Sequence, residues 1–355
     1  MRMLNAVAVS SIALLCSALS QAQDARPTID ADGTVRGALS TVPMSEYLSS
    51  EAKAQLIDRI KLAPSPLADL DAFRKRSDDL AKASLEGWLK IHPAKITSTA
   101  IAGVHVDVIE PDAGIDAKNK KRVLINAHMG GFVTGSKYGG QVESVPLAGT
   151  GKIKVIAVDY RLAPEAKYPA ATEDMEAVYR EVLKTTKPQN IGIYGCSAGG
   201  TLVAQSMAWF QNKNLPLPGA IGIFCSGAMP TFWYGGDSGA VTPFMNGGVA
   251  QRANLVAATR GYFEGVEIND PLVTPGLFPQ VLAKFPPTLV VTGTRDIAMS
   301  NAVMTHTQLL KAGVRAELFI QEGLGHGHFF SFPGAPESTA AYDVIWSFFD
   351  RHLKR

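Results

Sequence analysis

The feature that most constrains the fold is a regular alternation of short apolar segments with amphipathic ones, from about residue 122 onward. The apolar segments lack charged residues at their centres, as expected of strands that are buried on both faces. The predicted strands are Arg122–Ala127, Lys154–Asp159, Ile191–Tyr194, Ala220–Cys225, Thr288–Thr292 and Ala316–Gln321. The predicted helices are Glu173–Lys184, a small-residue helix from Ala198, Ser300–Ala312 and a closing helix that aligns Tyr342, Ile345, Trp346, Phe349 and Leu353. This alternation predicts an α/β fold with a mostly parallel central sheet and helices on both faces.

Three segments depart from the alternation. About sixty residues separate the strand that ends at Cys225 from the strand that begins at Thr288, and a crossover of this length is usually functional. Ligands of such sheets bind at the carboxyl ends of the strands. We therefore predict that residues 229–278 and the polar, helix-prone stretch of about 23–90 form a cap on a single domain, 23–355. Residues 101–110 alternate apolar with polar side chains, which predicts a half-exposed early strand.

The first 22 residues have the three-part pattern of a secretory signal. One positive charge, Arg2, precedes the uncharged apolar run Ala6–Leu19, and small residues stand at the cleavage positions of Ser20-Gln21-Ala22. The run is short for a membrane span, which needs about 20 apolar residues. An uncleaved anchor helix is the alternative, and lipidation at Cys16 is disfavoured because Leu15 precedes it. Cleavage after Ala22 predicts a periplasmic or secreted protein.

Composition narrows the classes of partner. The 34 Lys and Arg residues nearly balance the 32 Asp and Glu residues, so the formal charge is +2. Nucleic-acid-binding proteins normally show a clear basic excess, and we expect no such partner. Glycines and prolines break the uncharged stretches Ile191–Phe210 and Asn214–Gly236, so we expect no stable membrane span after signal cleavage. Cys196 and Cys225 end neighbouring predicted strands, which leaves a disulfide between them open.

The strongest chemical signal is the pentapeptide Gly195-Cys196-Ser197-Ala198-Gly199. It fits the pattern G-x-S-x-G and lies between a predicted strand and a predicted helix, the context in which this pattern marks a nucleophilic serine. The sharp turn exposes the hydroxyl of Ser197, and the backbone N–H of Ala198 is free to bind an oxyanion. The alternative is a tight glycine-rich turn in which the serine only caps the helix.

A second glycine-rich segment, His128-Met129-Gly130-Gly131-Phe132, follows the first predicted strand of the alternation. Consecutive glycines at the end of a strand leave backbone N–H groups uncovered, so Gly130 and Gly131 are candidate oxyanion donors together with Ala198. The same loop resembles a phosphate loop, but Ser136 separates Gly135 from Lys137 and the required G-x-x-x-x-G-K spacing fails.

A serine nucleophile requires a base and an acid that orients the base. His326 and His328 follow the last predicted strand, and Asp296 follows the strand that begins at Thr288. The order serine, aspartate, histidine is that of α/β-hydrolases, so the predicted catalytic residues are Ser197, Asp296 and His326. His328 as the base, Asp270 as the acid and Asp296 as a helix N-cap remain open, as does a metal pair formed by the two histidines.

These residues belong to a set of motifs that resembles the bacterial hormone-sensitive-lipase family of α/β-hydrolase esterases. The similar motifs are Gly195–Gly200, Asp159–Glu165 followed by Tyr168–Ala171, Asp270–Pro275, Pro286–Asp296 and Glu322–His326. The resemblance extends from about Val123 to the C-terminus. It departs from the family at Met129, where the family has the second residue of His-Gly-Gly-Gly, and at His328, where phenylalanine is frequent.

The resemblance implies an α/β-hydrolase fold with a helical cap and a serine carboxylesterase of short- to medium-chain acyl esters. It implies no metal and no organic cofactor, and it leaves a homo-oligomer open. Phe232, Trp233 and Tyr234, at the start of the predicted cap insertion, are candidates for lining the substrate pocket, with ordinary cap packing as the alternative. Other functions remain open: a lactonase, a deacetylase of acetylated sugars, an amidase or peptidase with the same triad, and a non-catalytic ligand-binding protein.

Overall fold

The structure, a computed structural model, describes residues 28–29, 35–36, 42–62, 68–229, 236–245 and 259–354. The predicted signal segment 1–22 and the aromatic residues 232–234 lie outside these ranges. The chain divides into two units, Met1–Pro43 and Met44–Arg355. In the first unit the two-residue strands β1 (Thr28–Ile29) and β2 (Val35–Arg36) pair antiparallel.

The second unit contains an eight-stranded sheet with the order β10-β9-β8-β7-β5-β6-β4-β3. Its strands are β3 (Ala94–Ile101), β4 (Val104–Pro111), β5 (Val123–Ala127), β6 (Val155–Val158), β7 (Ile191–Cys196), β8 (Ala220–Phe224), β9 (Thr288–Arg295) and β10 (Ala316–Gly325). The β3–β4 and β4–β6 pairs are antiparallel and all the other pairs are parallel. The predicted mostly parallel sheet is confirmed.

Helices connect the strands. The α-helices are α1 (Ser50–Lys61), α2 (Leu70–Ile91), α3 (Gly139–Gly151), α4 (Ala170–Leu183), α5 (Ala198–Asn212), α6 (Gly236–Met245), α7 (Pro279–Leu282), α8 (Met299–Lys311), α9 (His328–Ser331) and α10 (Pro336–His352). Helices α1 and α2 lie in the N-terminal segment of the predicted cap, and α6 lies in its insertion. The cap itself stays a prediction. No helix among the described residues is long and apolar enough to cross a membrane.

The strands are apolar on both faces because each face packs against its own cluster of buried side chains. Within β5, Ile125 and Ala127 belong to one cluster and Leu124 belongs to the other. This two-sided burial explains the nearly continuous apolar runs of the central strands. Burial of that apolar surface, at roughly 25 cal/mol per Å², is the main force that holds the layers together.

The register of the parallel strands brings their carboxyl ends to one edge of the sheet. Ala127 of β5 pairs with Gly195 of β7, and Phe224 of β8 pairs with Cys196 of β7 and with Val291 of β9. The loops that follow β5, β7, β8 and β9 therefore begin side by side. This edge is where an α/β sheet of this kind places its ligands.

A buried arginine connects the first parallel strand to the C-terminal helix. Arg122 is 3% exposed, and its guanidinium donates to the Asp350 carboxylate at 2.6 Å and to the Lys354 carbonyl at 2.9 Å. Lys118 also contacts Asp350, at 2.9 Å, but from a more exposed position. The buried arginine satisfies several acceptors at once, whereas the lysine adds one partly solvated ion pair.

We expect Arg122→Leu to lower the free energy of unfolding by about 2–4 kcal/mol, because it leaves a carboxylate and backbone carbonyls without their buried donor. Urea denaturation measures the change. Lys118→Ala is the matched control and should cost about 1 kcal/mol or less, since it removes a partly solvated partner of the same carboxylate and a cation–π contact with Trp346. Equal losses for the two variants would show that Arg122 does not hold the helix in this way.

Candidate active site

Ser197 occupies a strained turn between β7 and α5. Its φ of 57° lies in the left-handed region, and its ψ is −119°. A Cβ atom at Gly195 or at Gly199 would overlap the carbonyl oxygen of Ala127 on the neighbouring strand, so glycine is required at both positions. The turn stays in place because the backbone N–H of Ser197 donates to the carbonyl of Phe224 at 2.8 Å. The hydroxyl is thereby held at the carboxyl edge of the sheet.

The structure brings the three predicted catalytic residues into one hydrogen-bonded chain. The Ser197 Oγ lies 2.8 Å from Nε2 of His326, and Nδ1 of His326 lies 2.7 Å from Oδ1 of Asp296. Asp296 is an acceptor when ionised, so Nδ1 carries the proton and Nε2 presents its lone pair to the serine hydroxyl. This is the tautomer that a general base requires.

Asp296 is fully buried, yet its surroundings favour the charged form. Burial by itself would raise the pKa of Asp296. The electrostatic attraction and the hydrogen bond of His326 outweigh this effect and hold the pKa below its usual value. The backbone N–H of Ala298 and the hydroxyl of Thr292 donate to the same carboxylate, at 2.8 Å and 3.0 Å. Asp296 is therefore a fixed anion that orients the imidazole.

The alternative base and acid occupy other roles. His328 is buried, its Nδ1 accepts the backbone N–H of Gly325 at 2.9 Å, and burial lowers its pKa to about 3. Its ring stacks on that of Phe332, with the centroids 4.6 Å apart. The Asp270 carboxylate accepts the N–H of Leu272 at 2.7 Å, which is a local turn contact. Neither residue joins the hydrogen-bonded chain described above.

The glycine loop after β5 turns towards the same edge. Gly130 and Gly131 have φ values of 123° and 64°, and the Gly130 carbonyl accepts the N–H groups of Val133 and Thr134, both at 2.9 Å. Within the described residues, the N–H groups of Gly130, Gly131 and Ala198 donate to no protein acceptor. Such uncovered donors are what an anionic oxygen requires.

Polar side chains are buried behind the glycine loop, and sequence reasoning had missed one of them, Glu143. This residue of α3 is 2% exposed, and its carboxyl accepts the N–H of Met129 at 2.8 Å and the side-chain amide of Asn126 at 2.9 Å. Burial raises the pKa of Glu143 to about 8. The one available signal was a charged residue within an otherwise uncharged segment, residues 138–151.

The two cysteines of the predicted mature chain are buried and free. The hypothesis of a disulfide between Cys196 and Cys225 is therefore wrong. The sulfur of Cys225 instead accepts the N–H of Gly327 at 3.2 Å. Burial raises the pKa of both thiols, well above the usual value for Cys196, so neither is a ready thiolate nucleophile.

One group of residues offers metal ligands in the described part of the chain. Single ligand atoms of Cys225, Asp296 and His326 lie within 4.8 Å of one another. Two of these residues already bond to each other in the serine chain, and the third is a buried thiol. The predicted alternative of a His326 and His328 pair does not fit, because Nδ1 of His328 accepts the Gly325 N–H, which places the ring proton on Nε2 and leaves neither nitrogen with a free lone pair.

A groove of about 870 Å³ lies between α2 and the segments 134–138 and 159–166. Charged side chains dominate its wall, among them Arg74, Lys137, Asp159 and Arg161. Neither Ser197 nor His326 lines it. The groove is therefore separate from the serine chain and is unsuited to an apolar acyl group.

Comparison with known proteins identifies the family. Residues 124–330 match the model of a protein family whose members have the alpha/beta hydrolase fold. An acetyl-hydrolase of Streptomyces hygroscopicus is 26% identical over 240 residues, which cover 65% of this chain and 76% of that protein.

Solved structures agree. The esterase E25 superimposes with a TM-score of 0.75 at 27% identity and covers 90% of this chain and 99% of its own. An esterase of the bacterial hormone-sensitive lipase family shares the fold, with a TM-score of 0.71 at 24% identity over 86% of this chain and 98% of its own. The chain therefore belongs to the α/β-hydrolase fold family, and its similarity to an acetyl-hydrolase and to esterases identifies it as a carboxylic ester hydrolase.

Proposed function

We propose that the protein is a serine carboxylesterase that hydrolyses short- to medium-chain acyl esters through an acyl-enzyme. The observation that carries the proposal is the unbroken chain from Ser197 through His326 to Asp296, with heavy-atom separations of 2.8 Å and 2.7 Å. Both separations are within the range for proton transfer from a nucleophile to a base.

In the acylation step, Oγ of Ser197 attacks the ester carbonyl carbon while Nε2 of His326 removes the hydroxyl proton. The carbonyl oxygen becomes an oxyanion, and the N–H groups of Gly130, Gly131 and Ala198 donate to it. His326 then protonates the leaving alcohol and the acyl-enzyme remains. The buried carboxylate of Asp296 stabilises the imidazolium throughout this step.

In the deacylation step, water replaces the alcohol. His326 removes a proton from the water, the resulting hydroxide attacks the acyl carbon, and Ser197 leaves as the hydroxyl after it recovers the proton. Protons move only between these two residues, water and the alcohol. The cycle calls for no metal ion and no organic cofactor.

Names of relatives support a short acyl group. The Streptomyces hygroscopicus relative is an acetyl-hydrolase, and an acetyl esterase of Salmonella is 27% identical over 200 residues. A site for a small acyl group gains transition-state binding from the oxyanion donors rather than from a long apolar tunnel. The substrate that we propose is accordingly an ester of a short carboxylic acid, with the alcohol part open.

Ser197→Ala should abolish turnover of p-nitrophenyl acetate, with kcat lowered by at least about 10⁴-fold, because no nucleophile remains. Steady-state kinetics measures the loss. Cys196→Ala is the matched control at the neighbouring position, and it should keep kcat within about threefold because its buried thiol does not reach the substrate. Full turnover by Ser197→Ala would rule out the proposed mechanism.

Asp296→Asn should lower kcat by roughly 10⁴-fold, because the amide no longer favours the imidazole tautomer that presents a lone pair to Ser197. The same assay on Asp270→Asn provides the control, since among the described residues the Asp270 carboxylate bonds to the N–H of Leu272 and not to His326. A large loss in Asp270→Asn with normal activity in Asp296→Asn would reverse the assignment of the acid.

A series of p-nitrophenyl esters from acetate to laurate tests the acyl chain length. We expect kcat/KM to be highest for the shortest chains and to fall steadily as methylenes are added, because a small pocket has no room to bury them. A pocket that did bury them would instead gain about 0.8 kcal/mol per methylene. A rising series would contradict a short-acyl site, and Ser197→Ala measures the background hydrolysis of each ester.

A further inference from the structure

One buried carboxyl group, that of Glu143, contacts the glycine loop that carries two of the oxyanion donors. It accepts the backbone N–H of Met129 at 2.8 Å, one residue before Gly130. The carboxyl therefore fixes the peptide that leads into the donor Gly130.

The contact with Met129 bears directly on a donor of the hole. The Met129 carbonyl accepts Nδ1–H of His128 at 2.6 Å, and that carbonyl shares its peptide plane with the N–H of Gly130. Met129 is thus held on both sides, by Glu143 through its N–H and by His128 through its C=O. With both peptides fixed, the direction of the Gly130 N–H is set before substrate arrives.

The carboxyl is neutral at pH 7, since burial raises the pKa of Glu143 to about 8. A neutral acid can hold the loop without placing a full negative charge behind a developing oxyanion. Its second oxygen lies 2.9 Å from the side-chain amide of Asn126, and Oδ1 of Asn126 has no partner among the described atoms. Reversal of this amide, whose two orientations occupy nearly the same space, would let Oδ1 accept the acid proton.

We propose that Glu143 is a positioning residue of the oxyanion hole, which fixes the direction of the Gly130 donor through Met129. The inference rests on the proposed serine mechanism. A displacement of about 1 Å in a positioned group is enough to cost roughly 10²-fold in rate, so loss of this support is measurable.

Three variants separate the effect of the length of the side chain at 143 from the effect of its charge and from that of any change in a buried residue of α3. Glu143→Gln keeps the length and a carbonyl acceptor for the Met129 N–H, and matches a neutral acid. Glu143→Asp keeps the carboxyl but withdraws it by one methylene. Ser144→Ala is the matched control, a fully buried residue of the same helix whose hydroxyl contacts Tyr194 at 3.0 Å.

Each variant is assayed at pH 7 for kcat and KM with p-nitrophenyl acetate, and for inhibition by a trifluoromethyl ketone, whose adduct with Ser197 places an oxyanion in the hole. Fluorophosphonate labelling counts the active sites that react. Because kcat is expressed per labelled site, unfolded molecules in a preparation do not lower it. We expect Glu143→Asp to lower kcat by about 10- to 100-fold with KM within about threefold, and to weaken the ketone by a similar factor. Glu143→Gln and Ser144→Ala should stay within about threefold of the parent in both measurements.

Three results would overturn the proposal: normal kcat per labelled site in Glu143→Asp, a kcat loss without weaker ketone binding, or equal losses in Glu143→Gln and Glu143→Asp. Ser197→Ala is run alongside. If that variant kept its activity, the serine mechanism would fail. If it were inactive while all Glu143 variants behaved like the parent, only the positioning role would fail.

Discussion

The close approach of β7 and its following turn to the end of β5 is the constraint on which the site depends. At Gly195 and at Gly199 there is no room for a Cβ atom, because the Ala127 carbonyl occupies that space. This contact forces Ser197 into the left-handed region and starts α5 directly behind it. It also sets the glycine loop, which leaves β5 at Ala127, beside the nucleophile.

The remaining catalytic groups follow from the order of the strands. Since β8 and β9 continue the parallel array, Asp296 and His326 arrive at the same edge from the ends of β9 and β10. Burial then decides their chemistry. The Asp296 carboxylate stays charged because three donors, from His326, Ala298 and Thr292, offset its loss of solvent, whereas the neighbouring thiols and His328 are held neutral by burial with fewer compensating contacts.

The sequence allowed the parallel strands and the nucleophile turn to be predicted because their signals are local. Strand β3 was missed since most of its side chains are exposed and it lacks an apolar run. Helix α3 was missed for the opposite reason: it is buried almost all round, contains Pro146 and several glycines, and so has no amphipathic period. The choice between His326 and His328 also needed the structure, because it depends on which imidazole accepts the Gly325 N–H.

The departure at Met129 shows why some motif positions tolerate change. In the described chain Gly130 and Gly131 have positive φ values whereas Met129 does not, so a side chain at 129 brings no backbone strain. That side chain packs against the apolar cluster on one face of the sheet, and its N–H and C=O are the groups that the loop uses. The backbone at this position does the positioning, and backbone groups are common to all residues except proline. A methionine is therefore compatible with this position, because the loop uses the N–H and the C=O of residue 129 and leaves its side chain to pack.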